Sequence, residues 1–221
     1  METFRLILSM VLTAIVSYLI GSANFAIIIC RLLYHKDIRD YGSGNAGMTN
    51  VARTFGKLPA VLVTIGDFCK GALAMIVGHL LAMLIGGTGS FSAFPFYGAY
   101  IVAVCVMLGH CFPVFYGFRG GKGILVSAGV ILILNPPILL ILLVIFLIVF
   151  LGSKIVSLGS ITVAAMYPVL TLIFGLVNKS GTVLWDTLTA LLIGGFVIFL
   201  HRANIKRLLN GTENRFGSKK K

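Results

Sequence analysis

Long apolar runs separated by short polar segments constrain this chain more than any other feature. They cover Phe4–Leu33, Leu58–Ile85, Phe94–Phe112, Ile124–Leu134, Ile138–Gly152, Ser160–Val177 and Val183–Leu200. A membrane-crossing helix needs about 20 predominantly apolar residues, fewer where it is short or partly buried in protein. The chain is 58% hydrophobic and 11% charged, with mean hydropathy +1.05. No water-soluble domain of 221 residues could bury that much apolar surface. The expected fold class is an all-α integral membrane protein of about seven transmembrane helices. It is expected to form one polytopic domain over residues 1–221, with a basic tail over 210–221. The fourth and fifth runs are short and separated only by Asn135-Pro136-Pro137, a sequence that breaks helix geometry. A single broken helix there is the alternative, and it would invert everything downstream.

Charge arbitrates between the two. The net charge is +12. With seven spans, the segments around Lys36–Lys57, Pro113–Gly123, Gly152–Leu158 and His201–Lys221 share one side and hold nearly all the Lys and Arg. The opposite side receives Gly86–Ala93, the Asn135 turn and Asn178–Gly181, where Lys179 is the one cation. This asymmetry puts the rich side in the cytoplasm, with the N-terminus outside and the C-terminus cytoplasmic. The first run is too long for a signal peptide and is expected to be retained as a span. Cations distributed in this way suit topology and lipid contact and argue against a nucleic-acid partner.

Four cysteines, Cys30, Cys69, Cys105 and Cys111, form no CxxC pair and read as small hydrophobes. The six acidic residues offer no spacing suited to a metal, so neither a metal nor a metal-dependent phosphotransfer is expected.

Polar stretches punctuate the expected cytoplasmic side. Gly109–Gly123 carries glycines, Pro113, Arg119 and Lys122 directly before a helix-like run. Glycines let a backbone approach a ligand, successive amides can form an anion nest, and a helix N-terminus adds partial positive charge. A glycine-rich interhelical turn is the alternative. Gly42–Arg53 supplies Gly42, Ser43, Gly44, Asn45, Thr49, Asn50 and Arg53, small donors plus a cation suited to phosphate. Its alternative is a flexible loop. His201 and Asn204 share a face at a helix end, where His201 could act as base, bind an anion or simply anchor the interface. Asp67 and Lys70, three apart within a span, read as a structural ion pair. His35 and Asp40 match a His-x4-Asp pattern used by acyl-CoA-dependent acyltransferases, but without those enzymes' flanking residues.

Together these stretches resemble one family. Asp37-Ile38-Arg39…Gly42-Ser43-Gly44-Asn45…Thr49-Asn50-Val51…Arg53 is the first motif, and Gly109-His110…Pro113-Val114-Phe115…Gly120-Gly121-Lys122-Gly123 the second. His201-Arg202-Ala203-Asn204-Ile205-Lys206-Arg207-Leu208…Gly211-Thr212-Glu213 is the third, with Val156-Ser157-Leu158 as a short serine element. The order and spacing resemble the bacterial membrane glycerol-3-phosphate acyltransferases that use acyl phosphate, the PlsY family.

The resemblance implies a multi-pass enzyme of the bacterial cell membrane, with its site on the cytoplasmic face. Its partners would be glycerol 3-phosphate, long-chain acyl phosphate and membrane lipid, with no cofactor. By the same resemblance Ser43, Arg53, Lys122, Ser157, His201 and Asn204 are catalytic, and Gly42, Gly44, Asn45, Thr49, Asn50, Gly120, Gly121 and Gly123 bind substrate. Asp67 and Lys70 are expected to be structural, as is Glu213, a carboxylate amid Lys206, Arg207 and Arg215 that suits pairing better than catalysis. The second motif is associated with glycerol 3-phosphate. A transporter for a phosphorylated solute is the rival from another class; it would require symmetric repeats and a polar site near mid-membrane.

Overall fold

The computed structural model describes residues 2–86 and 96–217. Residues 87–93 of the expected outer loop, the Phe94 start of the third run and the Ser218–Lys221 tail lie outside the described residues. The chain falls into two compact units, Met1–Leu134 and Asn135–Lys221, each described by itself. Among the described residues every regular element is helical, the arrangement that pairs backbone groups within each segment in a hydrocarbon solvent.

In the first unit the opening apolar run is two helices, α1 (Glu2–Ser22) and α2 (Phe25–Tyr34). The break falls at Ala23-Asn24. Asn24 is extended and its side chain accepts from the Ile27 amide at 3.1 Å, capping α2. After a 3-10 turn at Ile38–Asp40 come α3 (Met48–Thr54), α4 (Lys57–Gly86), α5 (Phe96–Cys111) and α6 (Ile124–Leu134).

Small residues set the packing. A Cβ at Gly21 would strike the Val106 carbonyl, and one at Gly109 the Tyr18 carbonyl. Gly71 lies in the same way against Val126, and Gly129 against Phe68. These reciprocal pairs bring the backbones of α1 and α5, and of α4 and α6, into contact, the close approach that drives helix association in lipid. Gly78 of α4 meets both Thr13 and Val102, and Lys70 both Ala23 and His110, so α1 and α5 run in the same direction. The consequence for function is that the segments 35–56 and 112–123 emerge at the same end.

The second unit contains α7 (Pro136–Ser153), α8 (Val156–Val177), α9 (Val183–Leu200) and α10 (Arg202–Leu209). Asn135 accepts from the Ile138 amide at 3.2 Å and Pro136 opens α7, so the Asn135-Pro136-Pro137 stretch starts a new helix. The Phe216 amide donates to Lys154 O at 2.7 Å and the Phe216 ring meets Phe150 edge-on, which folds the chain after α10 back onto the α7–α8 turn.

Among the described residues six helical segments are long and apolar enough to cross a membrane, the broken α1–α2 pair counting as one. The seventh, α6, is apolar but only 11 residues long, about 16 Å at 1.5 Å per residue. Leu140, Val144, Leu147, Ile148 and Leu151 of α7 are all exposed, a surface suited to acyl chains and not to water.

Candidate active site

The polar end of the first unit is built from two loops and a buried charge. In the first loop Gly42 and Gly44 have φ of +60° and +70°, the left-handed region that favours glycine. Asn50, at the start of α3 and buried, shapes the turn. Its Nδ2 is divided among Tyr41 O (2.9 Å), Asn45 O (3.1 Å) and Ile38 O (3.3 Å), while its Oδ1 accepts from Ser43 N (3.0 Å). The amide expected to bind substrate is thus spent on its own loop. Ser43 is exposed at the tip, Asn45 and Thr49 are half-buried, and Arg53 is exposed in the last turn of α3.

Arg39 ties this loop to the second. Its Nε and Nη2 donate to the two Asp37 carboxylate oxygens, each at 2.9 Å, and its Nη1 to Tyr116 O at 2.5 Å and Arg119 O at 3.3 Å. Arg31 adds a bond to Asp37 at 2.8 Å. Hydrogen bonds from Arg39 hold the Asp37 carboxyl well below the usual carboxylate range, against the opposing effect of burial.

The second loop closes the end of α5. Gly120 N donates to Cys111 O at 3.0 Å and Gly121 N to His110 O at 3.2 Å, satisfying carbonyls that a helix end leaves open. A Cβ at Gly120 would collide with His110 O, and one at Gly121 with the His110 ring and Ala46 O. Close approach, together with amides already in use, accounts for these two glycines. Gly123, at φ +86°, turns the chain into α6, and Lys122 beside it is half-buried.

Beneath both loops lies Lys70, 4% exposed. Its Nζ is 2.7 Å from Asp67 Oδ1, 2.8 Å from Ala23 O and 2.9 Å from His110 Nδ1. The ammonium thus pairs with a carboxylate of its own helix and bonds one group from the α1–α2 break and one from α5. The break between α1 and α2 leaves the Ala23 carbonyl without its helical partner, and Lys70 satisfies it.

In the second unit Glu213 gathers the polar residues. Its Oε1 accepts from Ser157 Oγ and Asn204 Nδ2, both at 3.0 Å, and its Oε2 from Arg207 Nε at 2.6 Å. Burial raises its pKa, but the bonds from Arg207, Asn204 and Ser157 outweigh that and leave it below the ordinary value. His201 Nδ1 lies 2.8 Å from Val197 O. A carbonyl can only accept, so Nδ1 carries a proton.

His35 ends α2 in left-handed backbone and is exposed, as is Asp40. Asn24, His110, Arg39 and Arg207 hold the functional loops yet stand outside the residues expected to form the site. A lone asparagine inside an apolar run, after Ser22-Ala23, was the readable signal for the α2 cap. The contact of His110 with Lys70, 40 positions away, had none.

Comparison with known proteins places these motifs in context. Residues 11–211 match the family described as glycerol-3-phosphate acyltransferase. A glycerol-3-phosphate acyltransferase of Clostridioides difficile (strain 630) is 40% identical over 97% of this chain and 98% of its own. One from Thermoanaerobacter sp. (strain X514) is 43% identical over 95% and 96%. The fold is similar to the crystal structure of PlsY (YgiH), an integral membrane glycerol 3-phosphate acyltransferase, in its glycerol 3-phosphate form. The TM-score is 0.78 at 35% identity, covering 95% of this chain and 96% of that one. The lysophosphatidic acid form gives 0.76 at 34%.

Proposed function

The chain belongs to the glycerol-3-phosphate acyltransferase family and is a multi-pass membrane acyltransferase, and from that premise we propose its reaction. It transfers a long-chain acyl group from acyl phosphate to the 1-hydroxyl of glycerol 3-phosphate, giving 1-acyl-glycerol 3-phosphate and inorganic phosphate. The enzyme sits in the bacterial cell membrane as seven spans, N-terminus outside and C-terminus cytoplasmic, and works at the cytoplasmic face. The observation that supports this reading best is the Arg39 clamp, which fixes the Ser43–Arg53 loop against the Gly109–Gly123 loop at one end of the first unit.

Both substrates carry phosphate, and repulsion between the two is severe in a low-dielectric site without cations. Lys122 and Arg53 supply that charge, with Ser43 and Thr49 as neutral donors and the N-terminus of α6 behind Gly123. In the second unit Glu213 orients Ser157 and Asn204, and His201 closes α9. Acyl phosphate is already activated, so no acyl-enzyme is needed. The 1-hydroxyl oxygen attacks the acyl carbon, the acyl carbon–phosphate oxygen bond breaks, and the electron pair leaves with phosphate. The base for the hydroxyl proton is either His201 or a phosphate oxygen of the substrate. Holding two anionic groups in line and stabilising developing charge are what the protein contributes.

The test supplies purified protein with glycerol 3-phosphate and either palmitoyl phosphate or palmitoyl-CoA, following lysophosphatidate and phosphate release. Turnover is expected with palmitoyl phosphate alone, lost in Lys122→Ala and retained in His35→Ala. Turnover with palmitoyl-CoA that depends on His35 would move the chemistry to His35 and Asp40. Folded protein inactive with both donors would defeat the reading.

A further inference from the structure

The second loop is shaped by a buried side chain that contacts no substrate in the reading above. Lys70 has only protons to give, so His110 Nδ1, 2.9 Å away, must offer it a lone pair. That fixes the ring with its proton on Nε2. The ring's Nε2 edge lies against Gly121, so close that a Cβ there would overlap it, with Ala46 O from the first loop beside it. His110 is 4% exposed and Asp67 1%. The ring is therefore clamped between an ion pair below and the loop backbone above. Its own main chain is bonded to the same residue, Gly121 N to His110 O at 3.2 Å. Asn24 Nδ2, reaching Ala46 O at 3.4 Å, holds the other side of the contact.

We propose that His110, held in one orientation by Lys70 and Asp67, is a positioning residue that sets the Gly120–Lys122 backbone and through it the affinity for the phosphate of glycerol 3-phosphate. The inference rests on the function proposed above. An ion pair this deep could have been replaced by apolar side chains at little cost to stability. What apolar side chains could not supply is a donor that fixes the imidazole against the loop. A misplacement of about 1 Å in a phosphate-binding loop is enough to weaken binding many-fold.

The experiment measures KM for glycerol 3-phosphate, KM for palmitoyl phosphate and kcat in three purified variants, with thermal midpoints beside them. His110→Asn keeps an acceptor near Lys70 and removes the ring edge from Gly121. It is expected to stay folded and raise KM for glycerol 3-phosphate about ten-fold, with kcat and the other KM within about two-fold. Gly121→Ala disturbs the same contact from the loop side and is expected to show the same selective rise. Because the shorter Asn makes room for the added methyl, the double variant is expected to be less impaired than the two effects multiplied. A selective rise in His110→Asn, with that compensation in the double variant, supports the proposal. Unchanged KM in His110→Asn, an equal loss for both substrates there, or strictly multiplicative effects would overturn it while leaving the reaction intact. A wild-type protein that fails to acylate glycerol 3-phosphate would overturn the reaction and the proposal together.

Discussion

Glu213 shows how one side chain can organise a polar end. A carboxylate accepting from Ser157, Asn204 and Arg207 fixes two residues proposed for catalysis. Its depressed pKa carries a consequence for stability. A carboxylate lowered on folding contributes fully above its unfolded pKa, and that contribution disappears as pH falls through the folded value. The thermal midpoint in detergent is therefore expected to hold steady near neutral pH and fall below about pH 4, the ordinary glutamate range. Glu213→Gln should lose about 1–3 kcal/mol at neutral pH, because a charged acceptor of three bonds becomes a neutral one. It should also flatten the acidic fall. A wild-type midpoint indifferent to pH across that range would refute the account. Pairing of Glu213 with neighbouring cations is what the sequence suggests, and Arg207 at 2.6 Å is such a partner. The bonds from Ser157, 56 positions away, and from Asn204 follow only from the fold.

At the scale of elements, helix association rests on glycines that face a neighbouring backbone. Gly194 and Gly195, adjacent in α9, separate packing from propensity. A Cβ at Gly194 would strike the Ala164 carbonyl of α8, whereas one at Gly195 meets nothing within 4 Å. Gly194→Ala should therefore destabilise by about 1–3 kcal/mol through overpacking. Gly195→Ala should be neutral or stabilise by up to about 1 kcal/mol, since alanine is the better helix former. Unfolding midpoints of the two variants decide it, and equal shifts would sink the packing argument. Sequence hydropathy locates such helices well and locates their internal breaks poorly. The run Phe4–Leu33 reads as one span, yet it divides at Ala23-Asn24. The apolar signal is continuous through two residues whose roles are to cap α2 and to lend a carbonyl to Lys70.

For the whole molecule, the positive-inside rule sets an orientation that can be measured. A reporter fused after Gly211 is expected in the cytoplasm, and one inserted at Ser180, beside the lone Lys179 of its segment, on the outside. The reverse pattern would place the polar loops on the wrong face for a cytoplasmic phosphate donor. Sequence alone determined the membrane as solvent, a multi-pass all-helical class, and the three motifs that give the family. Each is a local matter of composition or spacing. Tertiary structure decided which polar atoms are already engaged. Asn50 is bound to its own loop, the Gly120 and Gly121 amides close α5, and Lys70 reaches His110. A side chain's donors can be counted from sequence, but their partners are set by residues brought close from distant positions, and only packing does that.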